Sequence, residues 1–313
     1  LKRRVGVTLE LESGLNDPVA VILTTALSHN LLHPGGIEGW RIGVDVITQL
    51  ALGAVAGWVI GTVGRQVLSR LRLVSGGLYP AFTLSLALLA FGVATLVHGS
   101  GFLSVYLAGL ILGNGPLPYR AALLRVHDAL AWLAQIGMFL VLGLLVFPSG
   151  LAAVALPGLG LALLLAIVVR PLVATACLAP FTYRWREIVY IGWVGLRGAV
   201  PVVLATFPVL LSAPGAERLF HLVFFIVVVN AVVPGATVSW VTRRLGLEAK
   251  ESPAPHAVLA IESRLPLRGE LLSYYVDEAL LVAGVALEEL EFPEGSSVML
   301  VVRGDLLVPA RGS

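Results

Sequence analysis

The chain has 313 residues, of which 58% are hydrophobic and only 13% are charged, and its mean hydropathy is +0.92. A soluble domain carries about 25% charged residues, so this composition excludes an ordinary cytosolic enzyme and a disordered chain. The net charge of +2 is too small to indicate nucleic-acid binding, and the single cysteine, Cys177, excludes a disulfide framework and a cysteine-based metal site.

The apolar runs predict an all-α polytopic membrane protein with about eight transmembrane helices, followed by a small α/β tail. A helix that crosses a bilayer needs about 20 mostly apolar residues. The fourth run is shorter and follows a tight turn at His98–Gly101, so we expect it to form a hairpin with the third. The predicted helices cover residues 6–32, 42–64, 78–97, 101–114, 129–147, 152–178, 188–210 and 220–242.

Basic residues predict the orientation of these helices, because lysine and arginine concentrate on the cytoplasmic side. If the first helix runs outward, the outer loops carry only Arg41 and Arg218. The inner side then holds the other basic residues of the membrane part outside the helices: Lys2, Arg3, Arg4, Arg65, Arg70, Arg72, Arg120, Arg125, Arg184, Arg186, Arg243 and Arg244. The tail is therefore expected to be cytoplasmic.

Charge density divides the chain into three predicted parts: a membrane domain over 1–245, a linker over 246–264 and a small cytoplasmic domain over 265–313. Two strands are predicted in the tail, at Val298–Arg303 and Leu306–Val308. The tail contains no glycine-rich dinucleotide fingerprint, so no nucleotide cofactor is expected. The chain begins inside a helix and stops before such a tail could close its sheet, so both ends are expected to be truncated.

The segment ESGLNDP at residues 12–18 is the strongest functional signal. Thirteen residues of helix separate Arg4 from Asp17, which places this carboxylate about 20 Å along the helix and near the middle of a hydrocarbon core about 30 Å thick. An ionised group there needs a polar cavity, a bound cation or a proton. Asp17 can thus hold a proton or a metal cation in turn, and Ser13, Asn16 and Pro18 offer nearby oxygens and a free carbonyl.

Two arginines also lie within predicted membrane helices, Arg170 and Arg197. Their depth resembles that of Glu12, so an ion pair between Glu12 and one of them is expected, although depth does not say which. Gly195 and Gly198 weaken the helix that carries Arg197. Such broken helices point their ends at ions in transporters.

Several segments together resemble the cation/proton antiporter-1 family, the branch that contains NhaP and the sodium/proton exchangers. These segments are ESGLNDPVA at 12–20, HGSGFLSVYLAGLILGN at 98–114, AQIGMFLVLGLLVFPS at 134–149 and WVGLRGAVPVVLATFP at 193–208. The last three are most similar to bacterial potassium/proton antiporters of the CvrA type. The tail resembles a TrkA-C-type regulatory domain over about 265–311.

The resemblance implies a fold of thirteen helices with inverted repeats, of which this chain would hold the last eight. It makes Asp17 the carboxylate that binds the transported cation and the proton, with Asn16 beside it and Ser13 as a ligand oxygen. It also makes Arg170 the partner of Glu12 in a structural ion pair.

The function expected is therefore secondary active antiport of K⁺, or with less support Na⁺, against H⁺ across the cell (inner) membrane. Asn16 stands before Asp17, so a single titrating carboxylate predicts one-for-one, electroneutral exchange. Alternatives are a channel-like conduit or a non-transporting membrane scaffold regulated by the tail. No enzymatic activity or cofactor is expected; the expected partners are the lipid bilayer, a second copy of the chain in a homodimer and a small-molecule ligand at the tail.

Overall fold

The computed structural model describes residues 3–32, 39–71, 73–115, 117–195 and 200–248, together with 285, 289–290, 292, 296–303 and 306–309 of the tail. The chain divides into two compact units. The larger unit comprises residues 1–249 with 262–267, and the smaller one comprises 250–261 with 268–313.

Ten α-helices occur in the described part of the larger unit. They are α1 (Arg3–Leu32), α2 (Gly39–Arg70), α3 (Leu78–Leu96), α4 (Gly101–Gly113), α5 (Arg120–Leu144), α6 (Pro148–Leu164), α7 (Arg170–Leu178), α8 (Trp185–Val194), α9 (Val200–Leu210) and α10 (Ala216–Leu245). A π-helical turn, Leu165–Val169, joins α6 to α7, so these form one continuous rod.

Five of these segments are long and apolar enough to cross a membrane: α2, α3, α5, the α6–α7 rod and α10. The others are shorter, or, in the case of α1, interrupted by charged side chains. The prediction of a helical, multi-pass membrane protein is confirmed. The helix α5 begins at Arg120 and not at residue 129, because its polar first turns escape a search for apolar runs.

Glycines bring α2 and α4 into close contact. Gly53, Gly57 and Gly61 recur at every fourth position of α2, and a Cβ added to Gly57 would overlap the backbone of Ser104 in α4. Small residues at this spacing let membrane helices pack backbone to backbone. The hydroxyl of Ser104 donates to the Ala90 carbonyl of α3 over 2.9 Å, so α2, α3 and α4 form one packed group.

A second group of helices surrounds α10, which packs against α6, α8 and α9. Its core includes Leu142, Val202, Ala205, Phe220 and Val227. Polar contacts add to this apolar packing between α8 and α10. Trp193 donates to Thr237 over 3.0 Å, and the hydroxyls of Tyr190 and Thr242 are also 3.0 Å apart.

The first helix, α1, contacts both groups, since it packs against α2 and α4 on one side and against α8 and α9 on another. Its first turns are held by the loop between α7 and α8. Arg4 donates to the Thr182 carbonyl over 3.0 Å and covers the ring of Tyr183, whose hydroxyl lies 2.7 Å from that of Thr8. These contacts fix the helix that carries the ESGLNDP segment.

In the described part of the tail, two strands pair antiparallel: β1 (Leu300–Arg303) and β2 (Leu306–Pro309). Leu300 faces Pro309 and Arg303 faces Leu306 across the ladder. The two strands fall where the alternating pattern predicts them. The domain and linker boundaries and the TrkA-C resemblance stay predictions, and most of residues 249–299 lies outside the described ranges.

Candidate ion-binding site

The polar side chains of the ESGLNDP segment share one side of α1. At about 100° per residue, Glu12, Asn16, Ser13 and Asp17 fall within an arc of about 140°. Gly14 lies outside this arc, and there the ring of Tyr106 from α4 packs so closely that a Cβ on Gly14 would overlap it. The helix thus presents a glycine to α4 and a polar arc away from that contact.

Pro18 leaves one main-chain carbonyl of this segment without its usual donor. Pro18 lies inside α1 and has no N–H, so it cannot donate to the Gly14 carbonyl one turn earlier. The carbonyl of Gly14 is therefore free to accept from another group or to contact a cation. Pro18 itself is fully buried, which holds this irregularity against its neighbours.

Glu12 forms an ion pair with Arg170, the first residue of α7. Arg170 Nη2 lies 2.8 Å from Glu12 Oε1, and the two side chains are 19% and 38% exposed. The structure thus brings together two residues that are 158 positions apart in the chain. Arg197 and Gly198 lie outside the described residues.

The π-helical turn before α7 determines where Arg170 points. Pro171 follows Arg170 and would clash with a carbonyl one turn earlier in a regular helix. The π turn relieves this clash, and the Arg170 N–H bonds to the Leu165 carbonyl, five residues back. The extra residue rotates the rest of the rod and directs Arg170 towards α1 and α8.

Arg170 also lies against the end of the half-helix α8. Its Nε donates to the Gly192 carbonyl over 3.4 Å. Carbonyls in the last turn of a helix lack intrahelical donors and carry partial negative charge, which a guanidinium offsets. α8 ends at Val194 and α9 begins at Val200, and a Cβ on Gly195 would overlap the guanidinium. Glycine at this position leaves room for the guanidinium as it is placed here.

Asp17 is not neutralised in this way. It is half-buried, lies about 7.5 Å further along α1 than Glu12, and makes no hydrogen bond or ion pair with any residue in the described ranges. Ser13 and Asn16 are exposed beside it. Among the described residues, one of the two carboxylates is thus paired with an arginine and the other has no counter-charge.

Two parts of this site were not anticipated from the sequence, namely the Gly192 carbonyl and Asn230. The buried side chain of Asn230, on α10, lines a small cavity beside Arg170 and Gly195. A signal for Asn230 was present in the sequence, since it is an isolated amide inside the run FFIVVVNAVV. No sequence signal pointed to the Gly192 contact, because every residue has a main-chain carbonyl.

Comparisons with known proteins show the family to which the chain belongs. Residues 1–244 match the family described as sodium/hydrogen exchanger, transmembrane. The K⁺/H⁺ antiporter NhaP2 of Shewanella oneidensis is 39% identical over 315 residues, which cover 100% of this chain and 55% of that protein. The K⁺/H⁺ antiporter NhaP of Alkalimonas amylolytica is 40% identical over 263 residues, covering 84% of this chain and 46% of that protein.

A more distant relative is the Na⁺/H⁺ antiporter NhaS2 of Synechocystis, at 27% identity over 281 residues, covering 84% of this chain and 49% of that protein. The chain spans about half the length of the curated relatives that it matches. The match of residues 1–244 and the identity to NhaP2 along the whole chain establish the relationship. The chain belongs to the sodium/hydrogen exchanger family of transmembrane proteins.

Proposed function

We propose that the protein is a secondary active antiporter that exchanges a monovalent cation, K⁺ more readily than Na⁺, for H⁺. The observation that carries the proposal is the unequal state of the two carboxylates on α1. Glu12 is paired with Arg170, and Asp17 has no partner among the described residues. A partly buried acid without a counter-charge favours binding of a proton or a cation, and either ion excludes the other by charge.

The preference for K⁺ is supported by the names of the more similar relatives, which are K⁺/H⁺ antiporters, whereas the more distant one is a Na⁺/H⁺ antiporter. The ligands would be the Asp17 carboxylate, the oxygens of Ser13 and Asn16, and the freed carbonyl of Gly14. The proposed activity is transport, not enzymatic catalysis.

Measurement of proton movement in lipid vesicles tests this proposal. The protein is expressed from its complete reading frame, and collapse of an imposed pH gradient is followed after addition of K⁺, Na⁺ or Li⁺. We expect exchange in the parent and its loss in Asp17→Asn, with a normal thermal unfolding profile. Normal exchange in Asp17→Asn would favour a conduit in which the carboxylate has no transport role, and no exchange in the parent would favour a non-transporting scaffold.

One-for-one exchange is expected because only one carboxylate of the ESGLNDP segment lacks a partner among the described residues. Asn16 does not titrate and Glu12 is held by Arg170, so each cycle would move one positive charge in each direction. The exchange rate in the same vesicles should therefore not change when a membrane potential is imposed with a gradient of a permeant anion such as thiocyanate, at equal concentrations of the exchanged cation. A rate that follows the potential would contradict electroneutral exchange.

We place the protein in the cell membrane with the α2–α3 and α7–α8 loops and the tail on the cytoplasmic side, in accordance with the distribution of arginines. The tail would act as a TrkA-C-like regulatory domain that binds a small molecule. The protein would form a homodimer, as the family resemblance implies.

A further inference from the structure

The guanidinium of Arg170 has more donors than its known partners use. An arginine carries five N–H groups. In the described part of the chain, Arg170 uses one on Glu12 and one on the Gly192 carbonyl. The side chain is only 19% exposed, so the remaining donors have limited access to solvent. Buried donors to which nothing bonds are rare in folded proteins.

A small cavity lies beside this guanidinium, large enough for about one water molecule. Its walls come from the α6–α7 rod, from α8 and from α10. The residues that line it are mostly apolar, and its polar components are Arg170 and Asn230. The complete lining is Leu165, Ala166, Arg170, Trp193, Gly195, Asn230 and Pro234.

Asn230 offers two oxygen acceptors at this place. Its side chain is 8% exposed and makes no hydrogen bond to the residues that the structure describes. Its main-chain carbonyl also lacks the usual intrahelical donor, because the residue one turn later is Pro234. A buried amide without partners is costly unless water satisfies it, and a buried water needs two to four polar contacts.

We propose that Asn230 is a positioning residue for the ion pair: it holds a water molecule in this cavity, and that water accepts from the Arg170 guanidinium. Arg170 is then fixed from three helices, by Glu12 of α1, by the Gly192 carbonyl of α8 and by the Asn230 water of α10. The orientation of the guanidinium decides how firmly α1, and with it Asp17, is attached to the half-helix. The expected change in exchange rate rests on the proposed antiport function. The expected change in stability does not.

Two substitutions of Asn230 separate this role from simple packing. Leucine has the same branched shape as asparagine, with a larger volume and no acceptor, whereas aspartate has nearly the same shape and size and keeps an oxygen acceptor. If Asn230 only filled space, Asn230→Leu would be tolerated better than Asn230→Asp, since burying a charge is costly. If it supports Arg170, Asn230→Asp is tolerated better, and Asn230→Leu lowers the K⁺/H⁺ exchange rate about tenfold, as expected for the loss of one hydrogen bond to a charged group.

A double-mutant cycle tests whether the effect runs through Arg170. Asn230→Leu is combined with Glu12→Gln/Arg170→Gln, and the melting temperature in detergent is measured for each protein. We expect the effect of Asn230→Leu to shrink by at least half in this background, because no charged guanidinium remains to be supported. Thr242→Val, which removes the Tyr190 contact about three turns away on α10 and alters no residue that lines the cavity, is the matched control, and its effect should be unchanged.

The proposal is overturned if Asn230→Leu melts at or above the temperature of the parent, or if its effect is the same in both backgrounds. Should these variants fail to fold, Asn230→Ser and Asn230→Ala form a second pair of nearly equal volume, with and without an oxygen. Better tolerance of serine supports the proposal, and equal tolerance overturns it. The melting temperatures test the role of Asn230 whether or not the protein transports ions. Their outcome is therefore independent of the Asp17→Asn experiment.

Discussion

At the scale of single residues, the two carboxylates of α1 differ because of what the fold places opposite them. Glu12 meets the guanidinium of Arg170, and Asp17 meets no group of opposite charge in the described ranges. The sequence separates the two acids by only five positions, yet their environments differ in charge. Among the described residues, one carboxylate therefore has a counter-charge and the other has none.

The ion pair predicts an unequal response to single and double substitution. Removing one partner of a buried pair costs about 3–5 kcal/mol, because a charge is left unpaired, and partial exposure of Glu12 reduces this to about 1–3 kcal/mol here. Arg170→Gln and Glu12→Gln should each lower the melting temperature, and the double variant should recover part of the loss.

The exposed pair Arg243–Glu248, at 3.8 Å, provides the matched control. Both of its side chains are more than half exposed, so Arg243→Gln should change stability by less than about 1 kcal/mol. Thermal unfolding of the purified protein in one detergent compares all four variants. A double variant whose loss equals the sum of the two single losses would show that Glu12 and Arg170 do not stabilise each other.

At the scale of helices, backbone irregularities determine the position of the site. Proline within α1, at the start of α7 and within α10 leaves carbonyls without intrahelical donors, and the π turn redirects Arg170. The end of α8 at Gly195 exposes further carbonyls to this arginine. Each irregularity would be costly against lipid, so each requires a partner inside the bundle.

The glycine face of α2 predicts a strong effect of a single methyl group. In Gly57→Ala the new Cβ would overlap the Ser104 backbone of α4, so the helices must separate, at a cost of about 1–3 kcal/mol. Gly43→Ala on the same helix is the control, since its Cβ would meet nothing within 4 Å. Thermal unfolding in detergent should rank Gly57→Ala well below the parent and Gly43→Ala close to it. Equal melting temperatures for the two variants would contradict close α2–α4 packing.

At the scale of the whole molecule, α1 connects two groups of helices. One group is α2–α4, packed through glycines, and the other surrounds α10. The polar arc that contains Asp17 is on the helix that contacts both groups. Movement of one group of helices relative to the other would therefore affect an ion bound at Asp17. Transport of an ion between the two sides of a membrane requires such a movement.

The proposed orientation predicts which loops a reagent can reach. In a Cys177→Ala parent, Ser75→Cys places a thiol in the α2–α3 loop, and Ser212→Cys places one between α9 and α10. A maleimide that does not cross membranes should label Ser212→Cys in intact cells and Ser75→Cys only in inverted vesicles. The opposite pattern would reverse the orientation inferred from the arginines.

Composition and the pattern of apolar runs predicted the class of fold, the approximate position of most helices and the ionisable residues within them. Lipid tolerates few charges, so long apolar runs indicate the helices. The few charged residues inside those runs then stand out as candidates for function. The residues Glu12, Asp17 and Arg170 were all identifiable on this ground. The strands of the tail followed from simple alternation.

Helix depth left two arginines as partners of Glu12, and the family resemblance implied Arg170. The folded chain shows that contact, the carbonyl of α8 that completes it and the cavity lined by Asn230 behind it. Position along a helix gives the depth of a residue but not the direction of its side chain. Depth therefore cannot distinguish two arginines until the rotation and packing of their helices are known. The rotation here depends on a π turn of five residues, and the packing depends on glycines that let backbones approach. Both are properties of helices in contact, which residue types alone do not specify.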